Sequence, residues 1–193
     1  MGYNQIADPD LRKFLIEQAV KDTAVGYQPH PFFSRATDFF VDELEWIDGN
    51  GLATAEAYFA VTRAGRMAAL QPSQRQVVWA IREKYIAARA AAGYPYDWAG
   101  LPGAVRASLA ADTTARRYKH IVVDEGQDLI TGENGDMLIP LTAGEARRLF
   151  CLYTRTARPP AFHEHWSRWR RRHQATARQC HYARRTGNLT LLL

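Results

Sequence analysis

The chain has 193 residues, 47% of them hydrophobic, which is enough for one packed domain with or without an appendage. No apolar run approaches the roughly 18 residues of a membrane span, Met1–Asp10 shows no signal-peptide pattern, and Cys151 and Cys180 make neither a disulfide framework nor a metal spacing; a reduced, cytoplasmic protein with no membrane partner is expected. The net charge of +5 hides an asymmetry: residues 141–193 hold 11 arginines and no lysine against Glu145 and Glu164, a net of +9, while residues 1–140 hold 14 basic and 18 acidic residues, a net of −4.

Asp8-Pro9 opens the first predicted helix, with Asp8 as N-cap and Pro9 at the first helical position. Leu11, Phe14, Leu15 and Ala19 supply its apolar stripe. Gly26 and Pro29-His30-Pro31 end it in a loop. Thr37 caps a second helix in which Phe40, Val41, Leu44 and Ile47 line one face, while Asp42, Glu43 and Glu45 lie elsewhere; Gly49-Asn50-Gly51 stops it. A third, short helix follows Thr54, turns Ala55, Tyr58 and Phe59 inward and ends at Gly65. Ser73 and Gln76 make a capping box for the longest helix. Val78, Ile81, Tyr85 and Ala88 recur along it at helical spacing, and Gly93 stops it. Tyr94-Pro95-Tyr96-Asp97-Trp98 reads as a loop, and a fifth helix covers about Leu101 to Ala111.

Tyr118 to Val123 is dense in β-favouring residues and reads as a buried strand of a mostly parallel sheet. It runs into Asp124-Glu125-Gly126-Gln127-Asp128. Bare carboxylates do not suit the middle of a buried strand, but they suit its carboxyl end, where open α/β sheets place ligand chemistry. Asp124 would hold a hydrated Mg²⁺ directly or through water, and Glu125 would orient or deprotonate an attacking water. Read without chemistry, the same stretch is an acidic turn with Asp128 capping the next helix.

Ile121-Val122-Val123-Asp124-Glu125-Gly126-Gln127-Asp128 resembles the Walker B segment (motif II) of UvrD/Rep-type superfamily 1 DNA helicases. The acidic helix Thr37–Ile47, the Tyr58–Arg66 segment, the Val77–Tyr85 helix and Asp97-Trp98 precede it in the family's order, which extends the resemblance over roughly residues 35–130. The resemblance implies a mainly α chain with a minor α/β part. That is an incomplete P-loop NTPase (helicase motor) domain: a helical insertion (1–111), the Walker B strand and following turn (112–141), and a basic tail (142–193). It implies a nucleotide-binding ATP hydrolase that moves along and unwinds single-stranded or forked DNA, with ATP and Mg²⁺ as cofactors. Asp124 would take the Mg²⁺ and Glu125 the attacking water. Gln127 would sense the nucleotide or couple it to DNA, and Asp128 would support that network.

The family's phosphate cradle is a glycine loop ending in Gly-Lys-Ser/Thr. The lysines here are Lys13, Lys21, Lys84 and Lys119, and none follows a glycine, so there is no Walker A loop. Any upstream ATP-site strand would precede Met1, and the family's motifs beyond Leu129 are absent. The expectation is a truncated helicase fragment that binds neither ATP nor Mg²⁺ alone and is inactive alone.

From about Thr142 the pattern changes, although Glu145 to Phe150 could continue as a helix. Three readings stand for the tail. One is a nucleic-acid arm, with Arg168, Arg170, Arg171 and Arg172 for phosphates and Trp166 and Trp169 for stacking on bases. This reading supports the alternative function, a non-catalytic nucleic-acid-binding helical protein with an arginine-rich arm. A second is a metal site from His163, His165, Cys180 and His181, whose spacing fits no common zinc finger. The third is a frameshift: Arg, His, Trp, Pro, Thr and Cys without Lys is the composition of a GC-rich gene translated out of frame. Such a tail would be largely disordered, having little to offset the entropy of ordering.

Overall fold

The computed structural model describes residues 5–63, 66, 68–113, 118, 120–123, 148–154 and 180–185. The chain forms two compact units, Met1–Ala104 and Val105–Leu193. It is mainly helical with small parallel sheets.

The first unit begins with a two-residue strand, β1 (Ile6–Ala7), that runs straight into α1 (Pro9–Ala24). Asp8 caps α1 as expected, accepting the Leu11 N–H at 2.8 Å. The buried stripe of α1 is Arg12, Leu15, Ile16, Ala19, Val20 and Thr23. Phe14, expected inside, is 54% exposed. It stands two residues from both Arg12 and Ile16, which puts it on the far side of a 3.6-residue helix.

A short 3₁₀ turn, Pro31–Ser34, buries Phe32 and is capped by His30, whose Nδ1 accepts the Phe32 N–H at 3.0 Å. Helix α2 (Thr37–Gly49) has Ala36, not Thr37, in the cap position, with no side-chain cap bond. Phe40, Leu44 and Ile47 are fully buried, and so is Glu43, which was expected off that face. Thr54 caps α3 (Ala55–Ala60) through the Ala57 N–H. Tyr58 is fully buried, while Phe59 is partly exposed and the helix stops at Ala60, short of Gly65.

Helix α4 (Pro72–Ala91) starts one residue earlier than expected, because Pro72 is preset for the first turn. Its reciprocal cap pairs Gln71 with Gln74, whose Oε1 accepts the Gln71 N–H at 3.0 Å, rather than Ser73 with Gln76. Gly93 ends it at φ +86°, and the Gly93 and Tyr94 N–H groups donate to the carbonyls of Ala90 and Arg89. Helices α1 and α4 pack on each other, α2 packs on both and α3 on α4, around Ile16, Phe40, Leu44, Ile47, Val78, Ile81 and Tyr85. Each such aliphatic or aromatic side chain contributes about 1.5–3 kcal/mol on burial, before the opposing entropy of ordering.

The stretch expected to be a plain loop after α4 contains a second short strand, β2 (Tyr96–Asp97). It pairs in parallel with β1, Ile6 opposite Tyr96 and Ala7 opposite Asp97. Helix α5 (Leu101–Ala111) has the expected bounds and straddles the boundary between the units.

In the second unit the strands are β3 (His120–Val123), β4 (Arg148–Thr154) and β5 (Cys180–Arg185). They form one all-parallel sheet in the order β3-β4-β5, with Val123 opposite Cys151 and Thr154 opposite Arg185. The intervening stretches, 124–147 and 155–179, are longer than the dozen or so residues a parallel crossover requires. From Arg148 a strand replaces the expected helical continuation: Leu149-Phe150-Cys151-Leu152-Tyr153 is an unbroken apolar run rich in aromatics, which suits a parallel strand. Both β4 and β5 lie within the basic segment 142–193. Among the described residues no helix is long and apolar enough to cross a membrane.

Candidate functional site

Strand β3 immediately precedes the acidic segment in the sequence. His120–Val123 pairs in parallel with β4, and Asp124 is the next residue in the chain. The carboxylates themselves, Asp124, Glu125 and Asp128, lie outside the described residues, as does Gln127. So do Arg168, Trp169, Arg170, Arg171 and Arg172. Of the histidine–cysteine set, Cys180 and His181 begin β5, while His163 and His165 are outside the described residues. No cluster of His, Cys, Asp and Glu suited to a metal occurs among the described residues.

A phosphate cradle needs unfilled N–H groups where a strand turns into a helix. Two such junctions are described, and an aspartate fills each. Between β1 and α1 the turn is Asp8, whose carboxylate already takes the Leu11 N–H. Between β2 and α5, Asp97 Oδ1 accepts the Gly100 N–H at 2.7 Å. The space is closed as well as charged: a Cβ on Gly100 would lie 3.1 Å from Asp97 Oδ1. A phosphate approaching either helix end would meet a carboxylate before an amide. Neither of these two junctions therefore fits a bound nucleotide phosphate.

Two buried ionic clusters of this unit gather around Glu43 and Asp97. Glu43 on α2 accepts the Tyr58 hydroxyl at 2.9 Å and Arg63 Nε at 2.8 Å, and pairs with Arg66 at 3.0 Å. Burial alone would raise its carboxyl. The Arg63 and Tyr58 hydrogen bonds, with the charges of Arg63 and Arg66, outweigh burial and hold it below the ordinary value. Asp97 on β2 accepts the Tyr85 hydroxyl, Arg12 Nε at 3.3 Å and, as an ion pair, Arg89 Nη1 at 2.8 Å. Burial again pushes upward, and the Tyr85 bond, Arg89, the Gly100 amide and Arg12 pull the carboxyl down. Burial and the facing carboxylates raise both tyrosine hydroxyls.

These clusters had a readable signal. Glu43 sits three residues after Phe40 and four before Ile47, on the apolar stripe of α2. Arg12 is four before Ile16, and Arg89 is four after Tyr85. A charge in register with a core stripe is either paired inside or misread. Here all three are paired. Their fit is structural: every carboxylate oxygen of Glu43 and Asp97 is engaged by the protein itself.

No family model, curated protein or solved structure matches this chain.

Proposed function

We propose that the chain carries the Walker B part of a UvrD/Rep-type, ATP-dependent DNA helicase motor, and that these 193 residues do not turn over ATP by themselves. The observation that carries the reading is β3. A short apolar strand, paired in parallel, ends at Val123, and an aspartate–glutamate pair follows it in sequence. Hard carboxylate oxygens at the carboxyl end of a parallel strand suit Mg²⁺ and a positioned water. In the whole motor Asp124 would face the ion, Glu125 the water, and Gln127 with Asp128 the coupling to single-stranded or forked DNA in the cytoplasm. The inert half of the proposal is supported by the missing Gly-Lys-Ser/Thr loop and by the aspartates that fill both described strand-to-helix junctions.

The test is phosphate release by the pure protein with ATP, Mg²⁺ and single-stranded DNA. No turnover above a protein-free control is expected. Turnover abolished by Glu125→Gln would overturn the inert half and leave the helicase half standing. The helicase half expects an open frame encoding a Gly-Lys-Ser/Thr loop in the adjoining genomic sequence. Unrelated, uninterrupted genes on both sides would sink it.

A further inference from the structure

The helical unit has a groove of about 430 Å³ between the segment after α1 and the start of α4. That volume is within the range of small-molecule sites. Its floor is apolar: Phe32 and Val77 are 3% and 7% exposed. Its wall is aromatic. The Tyr27 ring lies 5.6 Å from Phe33, and Phe33 packs edge-on against Phe32 at 6.0 Å. The wall is thus anchored to the core at one end, while Tyr27 is 48% exposed at the other. The rim is polar and uncharged, with His30, Ser73 and the side-chain amides of Gln28, Gln71, Gln74 and Gln76.

No Asp, Glu, Lys or Arg lines the groove, so a phosphate or carboxylate finds no ion pair there. An aliphatic ligand would use the aromatic wall alone and leave the rim amides to water. A planar heteroaromatic ring satisfies both parts, stacking on the wall and hydrogen-bonding along the rim. Two rim groups have a fixed sense. His30 Nδ1 is committed to the Phe32 N–H, so the neutral ring carries its proton on Nε2. Gln74 Oε1 is committed to the Gln71 N–H, which leaves its NH₂ to donate. Both remaining groups are donors. They suit a base edge made of acceptors, such as guanine N7 and O6, better than the mixed donor–acceptor edge of adenine.

We propose that this groove binds a nucleobase, with guanine preferred. It shares no residue with the acidic segment after β3 and does not depend on nucleotide hydrolysis. The arginine-rich tail is kept out of the measurement by using a ligand without phosphate. The experiment is a titration of the full chain with guanosine, and in parallel with adenosine, followed by NMR of the protein amides.

Guanosine should shift resonances from residues 27–33 and 71–77, and adenosine should bind more weakly. Tyr27→Ala should weaken guanosine binding about tenfold or more, the usual size of a lost aromatic–base stack. Gln76→Ala is the second variant. It replaces an exposed helical residue by the best helix former, so the fold is kept, and the loss of a rim amide should still weaken binding. Melting curves check that both variants are folded. No guanosine binding, or binding untouched by both substitutions, overturns the proposal; equal binding of adenosine overturns the guanine preference. None of these outcomes bears on phosphate release, so the helicase reading fails or stands separately.

Discussion

Glu43 and Asp97 are both fully buried carboxylates of the helical unit, and each meets one tyrosine hydroxyl and two arginines. They differ in reach. The partners of Glu43 all follow within 23 residues and knot α2 to α3 and the segment beyond it. Arg75 adds to that knot by donating to the carbonyls of Tyr58, Phe59 and Val61 at the end of α3. Asp97 gathers partners from both ends of the unit, with Arg12 lying 85 residues away on α1 and Tyr85 and Arg89 on α4. The two clusters also differ in completeness. Among the described residues the only buried side-chain polar atoms without a partner are Arg12 Nη2 and Arg89 Nε, both beside Asp97. A short-range cluster can adjust its connecting chain until every donor is met. A long-range cluster has its guanidinium positions set by the packing of α1 against α4, and the carboxylate takes what geometry remains.

That difference can be broken experimentally. The largest effect is expected for Asp97→Ala. It leaves Arg12 and Arg89 buried with reduced compensation, and it frees the Gly100 amide at the start of α5. A loss of about 3–5 kcal/mol is expected, read from the denaturant midpoint. Glu43→Gln should cost less, about 1.5–3 kcal/mol. Its amide still accepts a hydrogen bond, and Arg66, at 21% side-chain exposure, can turn to water. A Glu43→Gln variant less stable than Asp97→Ala would reverse the order and remove the argument from reach.

The parts of this fold that could be read from the sequence are those set by a few adjacent residues. The Asp8 and Thr54 caps, the Gly93 stop and the bounds of α5 are local chemistry. Thr37 and Ser73 misled for the same reason: each is a good cap one or two residues inside a helix whose start is set by its neighbours. Strands β1 and β2 have two residues each, too few for any periodicity, and exist because residues some ninety positions apart meet. The buried arginines and Glu43 were hidden by a rule that sends charges outward, although their spacing was that of the core. The groove under Tyr27 was invisible, because the loop on one side carries no ligand motif and the Ser73–Gln76 pattern on the other reads only as a helix cap. For the candidate catalytic segment, the strand and its parallel pairing are found where the apolar run placed them, and the acidic residues that follow lie beyond what is described.

The smallest effect expected is in the pH dependence of stability, and it separates a third carboxylate from these two. The carboxyls of Glu43 and Asp97 are depressed in the folded state. Their contribution is therefore whole above the unfolded value, near about pH 4, and is lost as pH falls through the folded value. Asp48 has the opposite sign. It is held by Arg82 at 2.7 Å, but burial outweighs that charge, Asp97 adds repulsion, and its carboxyl is raised. Its ionised form burdens the folded state above the raised value, and protonation relieves the burden as the pH drops. In thermal melts from neutral to acid pH, Glu43→Gln should flatten the acid loss of stability, whereas Asp48→Asn should steepen it by removing a term that runs the other way. Two variants with slopes of the same sign would mean that the Arg82 pair, and not burial, governs Asp48.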